Sequence, residues 1–314
     1  KTNQTSADEA VGLALSTLNS EFMGTQITNN VNAKMKDWLT EEKITEELSN
    51  NGYEVEITGT PSSGGSLGLV IYKSDSPANK YAYAIEIEDS YLKLSKSVST
   101  TESYVGYYAD IDGNGTVDGI IYADLLADGG TSGTWSSTNN SEYTLPTINA
   151  ANVKTYIDTG ISHTENGFGT STVIKLNPVS TGTEDRFYVM GLTNITDGTN
   201  NTLYWWKSAW GHMTASDTST VFGTGKANTQ KIYNKYNSLN GEEPYTNSTT
   251  KYDRDLWNES NNNIKAKIEA GWFIPSKDEW SAFAKAFNIT SSDYSSYGLN
   301  NYYWSSSQYN TTNA

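Results

Sequence analysis

The chain has 314 residues, a formal net charge of -15 and no cysteine. The lack of cysteine excludes disulfides, thiolate metal sites and cysteine nucleophiles. The negative charge excludes nucleic acid as an expected partner, because the chain and a phosphate backbone repel each other. Hydrophobic residues make up only 36%, yet 9 Trp and 22 Tyr can bury much apolar area. We therefore predict a folded, β-rich protein with polar loops, long enough for two domains.

Residues 1–100 show helical patterns followed by strand patterns. Ser6 and Glu9 have the spacing of a capping box, and an apolar stripe at helical spacing follows them: Val11, Ala14, Leu15, Leu18 and Phe22. Thr40 precedes a second helical pattern. Apolar and polar residues then alternate in segments between 53 and 94, which predicts antiparallel strands. We predict an α+β domain over residues 1–100, with helices first and a meander after them.

An N-terminal helix that leads into such a sheet resembles the globular part of a type IV pilin-like protein. The resemblance covers residues 1–100 and implies a subunit anchored by an apolar helix half upstream of Lys1. Because the chain begins with Lys rather than Met, we expect a processed N-terminus whose signal or anchor has been removed. The alternative is a generic α+β domain with no role in a pilus.

The remaining residues, 101–314, are rich in strand patterns and long loops. Residues 127–143 have the composition of a loop, and two segments have helical periodicity, 226–237 and 253–270. Strands are predicted at 104–110, 117–124, 186–192 and 203–210.

The segment from Gly271 combines a scaffold pattern with a polar tail. Trp272-Phe-Ile-Pro275 predicts a short strand, and Ser276 and Glu279 form a second capping box. An apolar stripe at i, i+3, i+4 and i+7 then predicts a helix: Trp280, Phe283, Ala284 and Phe287. Between Thr290 and Ala314 nearly every residue is Asn, Tyr, Ser or Thr.

Gly271-Trp-Phe-Ile-Pro-Ser-Lys-Asp-Glu-Trp280, followed by Tyr303-Trp-Ser-Ser-Ser-Gln308, resembles the variable proteins of diversity-generating retroelements. More broadly, it resembles the formylglycine-generating-enzyme branch of C-type-lectin folds. The resemblance implies a C-type-lectin-type ligand-binding domain over 101–314, with a variable region at about 288–314 that adenine-directed mutagenesis diversifies. In that family further strands close the fold, so we expect the closing strand to lie elsewhere or to be lost. The implied ligand-binding residues are Asn300, Asn301, Tyr302, Tyr303, Gln308, Tyr309 and Asn310.

The composition of this tail suits a binding surface. Tyr offers a large amphipathic contact area at low rotamer cost, and Ser and Asn offer adaptable hydrogen bonds. The alternative is a solvated polar loop of low complexity.

Residues 110–118, Asp-Ile-Asp-Gly-Asn-Gly-Thr-Val-Asp, match the first nine positions of an EF-hand-like calcium loop. The match then fails, since position twelve is Ile121 and not the bidentate Glu, although Asp124 could substitute. The same residues also suit a β-hairpin with an Asn-Gly turn, which needs no metal. In the calcium interpretation the ligands come from Asp110, Asp112, Asn114, the Thr116 carbonyl and Asp118.

The leading prediction is a surface-displayed adhesin or receptor that binds an unknown protein or glycan on a bacterial cell surface or pilus. A structural pilus or filament subunit, which contacts other pilus subunits, is the first alternative. The second alternative is a carbohydrate-active enzyme, which would need two facing carboxylates about 5–10 Å apart. No spacing selects such a pair. The cysteine-dependent chemistry of formylglycine-generating enzymes is excluded, and we expect no enzyme activity.

Overall fold

The computed structural model describes residues 2–127, 132–135, 141–176, 182–196, 202–206, 217–238, 254–260, 262–290, 292–300 and 303–307, without the side chains of 132–135 and 141. The α-helices of these residues are α1 (Asn3–Asn29), α2 (Met35–Trp38), α3 (Glu41–Asn50), α4 (Gly225–Ser238), α5 (Ile264–Glu269) and α6 (Lys277–Ala286). Their strands are β1 (Glu54–Thr58), β2 (Gly65–Tyr72), β3 (Tyr81–Ile87), β4 (Leu92–Leu94), β5 (Lys96–Ser97), β6 (Tyr108–Asp110), β7 (Gly119–Asp124), β8 (Ser132–Trp135), β9 (Ser141–Thr144), β10 (Ile157–Glu165), β11 (Gly169–Lys175) and β12 (Phe187–Gly191). These elements confirm the predicted α+β class.

The first part of the chain is an antiparallel sheet, ordered β1-β2-β3-β4, packed against α1 and α3. The period-two alternation of β2 puts Leu67, Leu69 and Ile71 on one face, where each is at most 1% exposed. The stripe of α1, which includes Leu18 and Phe22, belongs to the same core. Both the stripe and the four strands agree with the sequence prediction, because one shared core requires both periodicities.

The start of α1 differs from the prediction. The side chain of Thr2 accepts a hydrogen bond from Thr5 N at 3.1 Å, so Thr2 is the N-cap and Ser6 lies inside the helix. The helix can begin earlier because Thr2 offers the same capping oxygen without interrupting the buried stripe. Thr40 caps α3 as predicted and accepts a hydrogen bond from Lys43 N at 3.2 Å. The single turn of α2 was not predicted, because it is too short to show a period.

The second sheet has six strands in the order β12-β7-β6-β11-β10-β5. β6 and β11 are parallel neighbours, and the other neighbouring pairs are antiparallel. β6 and β7 flank the turn at 110–118, as predicted, but both are shorter than the predicted strands 104–110 and 117–124. The hairpin of β10 and β11 was not predicted, because Thr, Ser and Gly dilute its alternation of apolar residues.

Two predicted elements are not formed as predicted, because side chains make hydrogen bonds to backbone groups of these segments. Only α5 is helical within the described part of 253–270. Asn262 Nδ2 there donates to the carbonyls of Asp255 and Leu256, at 2.9 and 3.0 Å, and so favours turns. The predicted strand Trp272–Pro275 lies outside every described sheet, and Ile274 N instead donates to Thr229 Oγ1 at 2.9 Å.

Two more predictions change in the same half. The segment 127–143, predicted as a loop, contains the β8–β9 hairpin. Within the predicted strand 203–210, residues 207–210 lie outside the described residues, and 203–206 form only an isolated bridge from Tyr204 to Asp255. Leu203, Trp205 and Trp206 are nevertheless buried, as their apolar character predicted. The predicted helix 226–237 is confirmed by α4.

The two sheets meet where the chain leaves β4. Ser95 N donates to Ala84 O at 2.8 Å, and β5 then pairs with β10 of the second sheet. Ala84 and Ile157 form a small cluster here, and both are 0% exposed. A short connection and a buried apolar contact therefore join the two sheets.

The second sheet contains a buried ion pair. Arg186 Nε lies 2.7 Å from Asp124 Oδ1, and Nη2 lies 2.9 Å from Oδ2, with the two side chains 1% and 0% exposed. Arg186 also donates to the carbonyls of Ser99 and Glu102, at 2.6 and 2.8 Å, and Tyr104 N donates to Asp124. The charges are compensated, so their desolvation is tolerated.

Replacing Asp124 with Asn should strongly destabilise the second sheet, since it leaves the Arg186 guanidinium buried without its counter-charge. Breaking such a pair costs about 3–5 kcal/mol. The matched control Asp185→Asn removes the ion pair between Lys154 and a carboxylate whose side chain is 71% exposed, and it should cost about 0–1 kcal/mol. Urea unfolding followed by tryptophan fluorescence measures both, because Trp38 alone of the nine tryptophans lies within residues 1–100. Equal unfolding midpoints for the two variants would contradict this account.

Candidate ligand-binding groove

The helix α6 begins with the capping box predicted from the sequence. The Ser276 side chain accepts a hydrogen bond from Glu279 N at 3.3 Å, and Glu279 Oε2 accepts one from Ser276 N at 2.5 Å. In the predicted stripe, Phe283 is buried, while Trp280 and Phe287 are half-buried. The cap fixes where the helix starts. It thereby also decides which of its side chains are half-buried.

Glu279 also holds the start of α4. Its side chain is 0% exposed, and a Cβ on Gly225 would collide with its carboxylate, so only glycine fits there. Burial raises the pKa of Glu279, and hydrogen bonds from Ser276, Gly223 and Gly225 oppose part of that rise. One buried carboxylate thus connects the beginnings of two helices.

The serines after Trp304 belong to the scaffold. Ser306 N donates to Pro275 O at 2.8 Å, and Lys277 N donates to Ser307 Oγ at 2.8 Å. Ser307 Oγ in turn donates to Ser219 O at 2.7 Å. Ser306 and Ser307 are 0% and 6% exposed. These bonds tie the polar C-terminal segment to the start of α6, so part of the segment is structural.

Tyr303 and Trp304 lie at the surface beside this anchor. Trp304 Nε1 donates to Leu203 O at 2.8 Å, and Trp280 Nε1 donates to Trp304 O at 3.2 Å. The rings of Trp280 and Tyr303 are 5.3 Å apart and tilted by 36°. Tyr303 is still 36% exposed. Tyr303 is therefore supported by the scaffold and accessible to a ligand.

A groove of about 520 Å³ runs beside this aromatic pair. Its described walls come from four places: the acidic turn, the β10–β11 turn, the end of β12, and the chain between α5 and Tyr303. The acidic turn contributes Thr116, Val117 and Asp118, and the β10–β11 turn contributes Glu165, Asn166 and Phe168. The volume is within the range of ligand pockets, about 300–1,000 Å³.

Of the ligand-binding residues implied by the resemblance, Tyr303 alone of the described ones lines the groove. Asn300 is exposed, and its N–H donates to the Tyr303 hydroxyl at 3.1 Å. The others lie outside the described residues: Asn301, Tyr302, Gln308, Tyr309 and Asn310. The wall residues from the acidic turn and the β10–β11 turn were not predicted, since no local pattern shows which remote turns a groove combines.

The acidic turn is organised around Asp110, which is 2% exposed. Its Oδ1 accepts hydrogen bonds from Gly113 N and Asn114 N, and its Oδ2 accepts one from Gly115 N at 2.8 Å. Burial raises the pKa of Asp110, which these N–H groups partly offset. The backbone thus folds tightly around one carboxylate.

The predicted metal ligands converge only in part. Asp110, Asp112 and Asp118 each place a carboxylate oxygen within 4.8 Å of the others, as a hard cation such as calcium requires. Asn114 Oδ1 accepts a hydrogen bond from Thr116 N at 2.7 Å, inside the same turn.

Asp124, the suggested substitute for the missing twelfth calcium ligand, does not serve in that place. Ile121 is buried within β7, and Asp124, offered as a substitute, is engaged by Arg186. The bidentate ligand of an EF-hand therefore has no replacement at either position, because Ile121 lies in an apolar cluster and Asp124 is paired with Arg186.

Among the described helices, none combines the length and apolar character needed to cross a membrane. Comparison with protein-family models, curated proteins and solved structures finds no match for this chain. The groove must therefore be interpreted from its own chemistry.

Replacing Glu279 with Gln should flatten the pH dependence of stability. Because burial raises the folded-state pKa above the ordinary value of 4.5, folding favours the protonated acid. Its contribution is full below the unfolded-state pKa and is lost as pH rises through the folded-state pKa. Gln keeps an oxygen for Ser276 N but does not ionise. Urea midpoints from about pH 4 to 7 should therefore favour the variant increasingly as pH rises. A difference independent of pH would contradict this role.

Proposed function

We propose that this protein is a surface-displayed adhesin or receptor whose ligand occupies the groove. One observation carries the proposal: an accessible tyrosine of the C-terminal segment, Tyr303, faces a cavity of ligand size. The ring of Trp280 lies against that of Tyr303. The hydrogen bonds of Ser306 and Ser307 hold the backbone that follows Tyr303. A rigid aromatic contact on an ordered scaffold binds at low entropic cost.

The resemblance to diversity-generating retroelement variable proteins and C-type-lectin-type domains supports the same function. Burial limits which positions of 288–314 could vary without loss of stability. Ile289, Ser306 and Ser307 are buried, whereas Asn300 and Tyr303 are exposed. We propose that diversification falls on the exposed positions and spares the buried ones. Sibling sequences from the same locus test this, and variation at the buried serines would contradict it.

Secretion to a bacterial surface, and the absence of catalysis, remain parts of this proposal. The acidic residues of the groove could serve a hydrolase, so activity must be tested directly. Incubation with a panel of oligosaccharides, followed by product analysis, would show cleavage if the protein were a carbohydrate-active enzyme.

A pilus or filament subunit is a second candidate, favoured by one observation. The helix α1 exposes Leu13, Met23 and Ile27, at 59%, 52% and 76%, although its other side is buried in the first core. Exposed apolar side chains on the outer side of a helix suit packing against further subunits. A prepilin cleavage motif encoded upstream of Lys1 would support this role, and a plain secretion signal would contradict it.

Binding should depend on the aromatic pair. Screening glycan and protein arrays would first identify a ligand. Tyr303→Ala and Trp280→Ala should then weaken its binding by roughly tenfold to thirtyfold, the loss typical of central aromatic contacts. The matched control Tyr91→Ala removes a tyrosine that is 48% exposed on the first part of the chain and should have no effect. Normal affinity in folded Tyr303→Ala and Trp280→Ala variants would place the site elsewhere.

We also propose that the acidic turn binds calcium weakly. Three carboxylates favour the ion, and the missing bidentate ligand lowers the affinity to about 10⁻⁴–10⁻³ M. Raising calcium to about 10 mM should therefore raise the melting temperature relative to EDTA. Asp112→Asn, which changes an exposed ligand, should abolish the increase. An unchanged melting temperature would favour the metal-free hairpin.

A further inference from the structure

The groove carries an uneven charge. Among its described lining residues, the charged ones are Asp118, Glu165 and Lys267. The carboxylate of Asp118 lies close to those of Asp110 and Asp112, so negative charge accumulates at the edge formed by the acidic turn. The local field at this edge therefore favours a positive group.

One aromatic ring that lines the groove already contacts a cation. Lys267 places its Nζ 5.7 Å from the ring centroid of Trp272, and both residues line the groove. Trp280 and Tyr303 provide further ring surface along the same cavity. An ammonium or guanidinium group gains cation–π attraction on such faces, and more when a carboxylate lies nearby.

Part of the remaining described wall is apolar. Phe168, Met190 and Leu192 are half-buried side chains that contribute to it. They favour an apolar side chain of the ligand, because burial against them releases water. The wall also contains polar side chains, among them Asn166, Thr193 and Asn194, which can form hydrogen bonds with polar groups of a ligand.

Building on the proposed function, we infer that the ligand is a segment of a partner protein in which Lys or Arg adjoins an aromatic or large aliphatic side chain. The apolar side chain contacts Phe168 and Met190. The cationic group lies between the aromatic rings and the carboxylates of Asp118 and Glu165. The chain's net charge of -15 steers a basic partner toward it and repels an acidic one.

Three capped tripeptides test this inference: acetyl-Lys-Trp-Lys-amide, acetyl-Gln-Trp-Gln-amide and acetyl-Glu-Trp-Glu-amide. Each carries fluorotryptophan and is titrated with the full chain in an EDTA buffer, with fluorine NMR as the readout. The Lys peptide should bind about tenfold or more tighter than the Glu peptide, with the Gln peptide between them. Raising the salt concentration should reduce this ratio, because the carboxylates are partly exposed.

In the double variant Asp118→Asn/Glu165→Gln, the affinities for the three peptides should become nearly equal. The control Glu184→Gln/Asp185→Asn removes the same charge outside the described lining and should keep the order. Asp118 Oδ2 accepts a hydrogen bond from Ile111 N, so the single variant Glu165→Gln provides a test that leaves this turn intact. Glu165→Gln alone should reduce the ratio between the Lys and Glu peptides.

Equal affinity for all three peptides, or tightest binding of the Glu peptide, would overturn the charge inference while leaving an aromatic binding groove. Binding of cellotetraose without any of the peptides would also overturn it, in favour of a neutral glycan. If none of the peptides binds, the inference is wrong. The proposed function fails separately, if an array ligand binds unchanged to the Trp280→Ala and Tyr303→Ala variants.

Discussion

The buried pair of Arg186 and Asp124 is the constraint on which the second sheet depends. A guanidinium removed from water needs hydrogen-bond partners, and those of Arg186, which directly precedes β12, come from β7 and from the chain after β5. These segments must therefore meet in one geometry. β7 leads back to the acidic turn, and β12 ends with residues that line the groove. The positions of these groove walls therefore depend on the buried ion pair.

A second constraint acts at the side of the groove that α6 and the C-terminal segment form. Glu279 joins the first turns of α4 and α6, and the hydroxyl of Ser307 connects the C-terminal segment to the same region. The hydrogen bonds of Glu279 and Ser307 hold this part of the backbone and leave the chain near Tyr303 little freedom. The segment rich in Asn, Tyr and Ser therefore has two roles. Some of its side chains hold the scaffold, and others face solvent where a ligand could reach them.

The acidic turn and the groove share Asp118, so their chemistry is coupled. A divalent cation at the turn would cancel negative charge at the edge of the groove and weaken its attraction for a basic ligand. In the proposals made above, calcium and a basic ligand would compete for the same carboxylates. Glu165, whose carboxylate lies 2.7 Å from His163 Nε2, lines the same groove and would keep a carboxylate there if the turn were neutralised.

The sequence by itself determined the features that depend on local physics. The capping box at Ser276, the cap at Thr40 and the stripe of α1 could be predicted, because each needs only neighbouring residues along a helix. The tertiary structure alone decided which remote parts meet. Nothing in the pattern indicates that Asp118, Glu165 and Tyr303 line one groove, or that Asp124 pairs with an arginine instead of a metal. Such contacts depend on strand order and register, which are set by the packing of the whole sheet and not by the composition of any one segment.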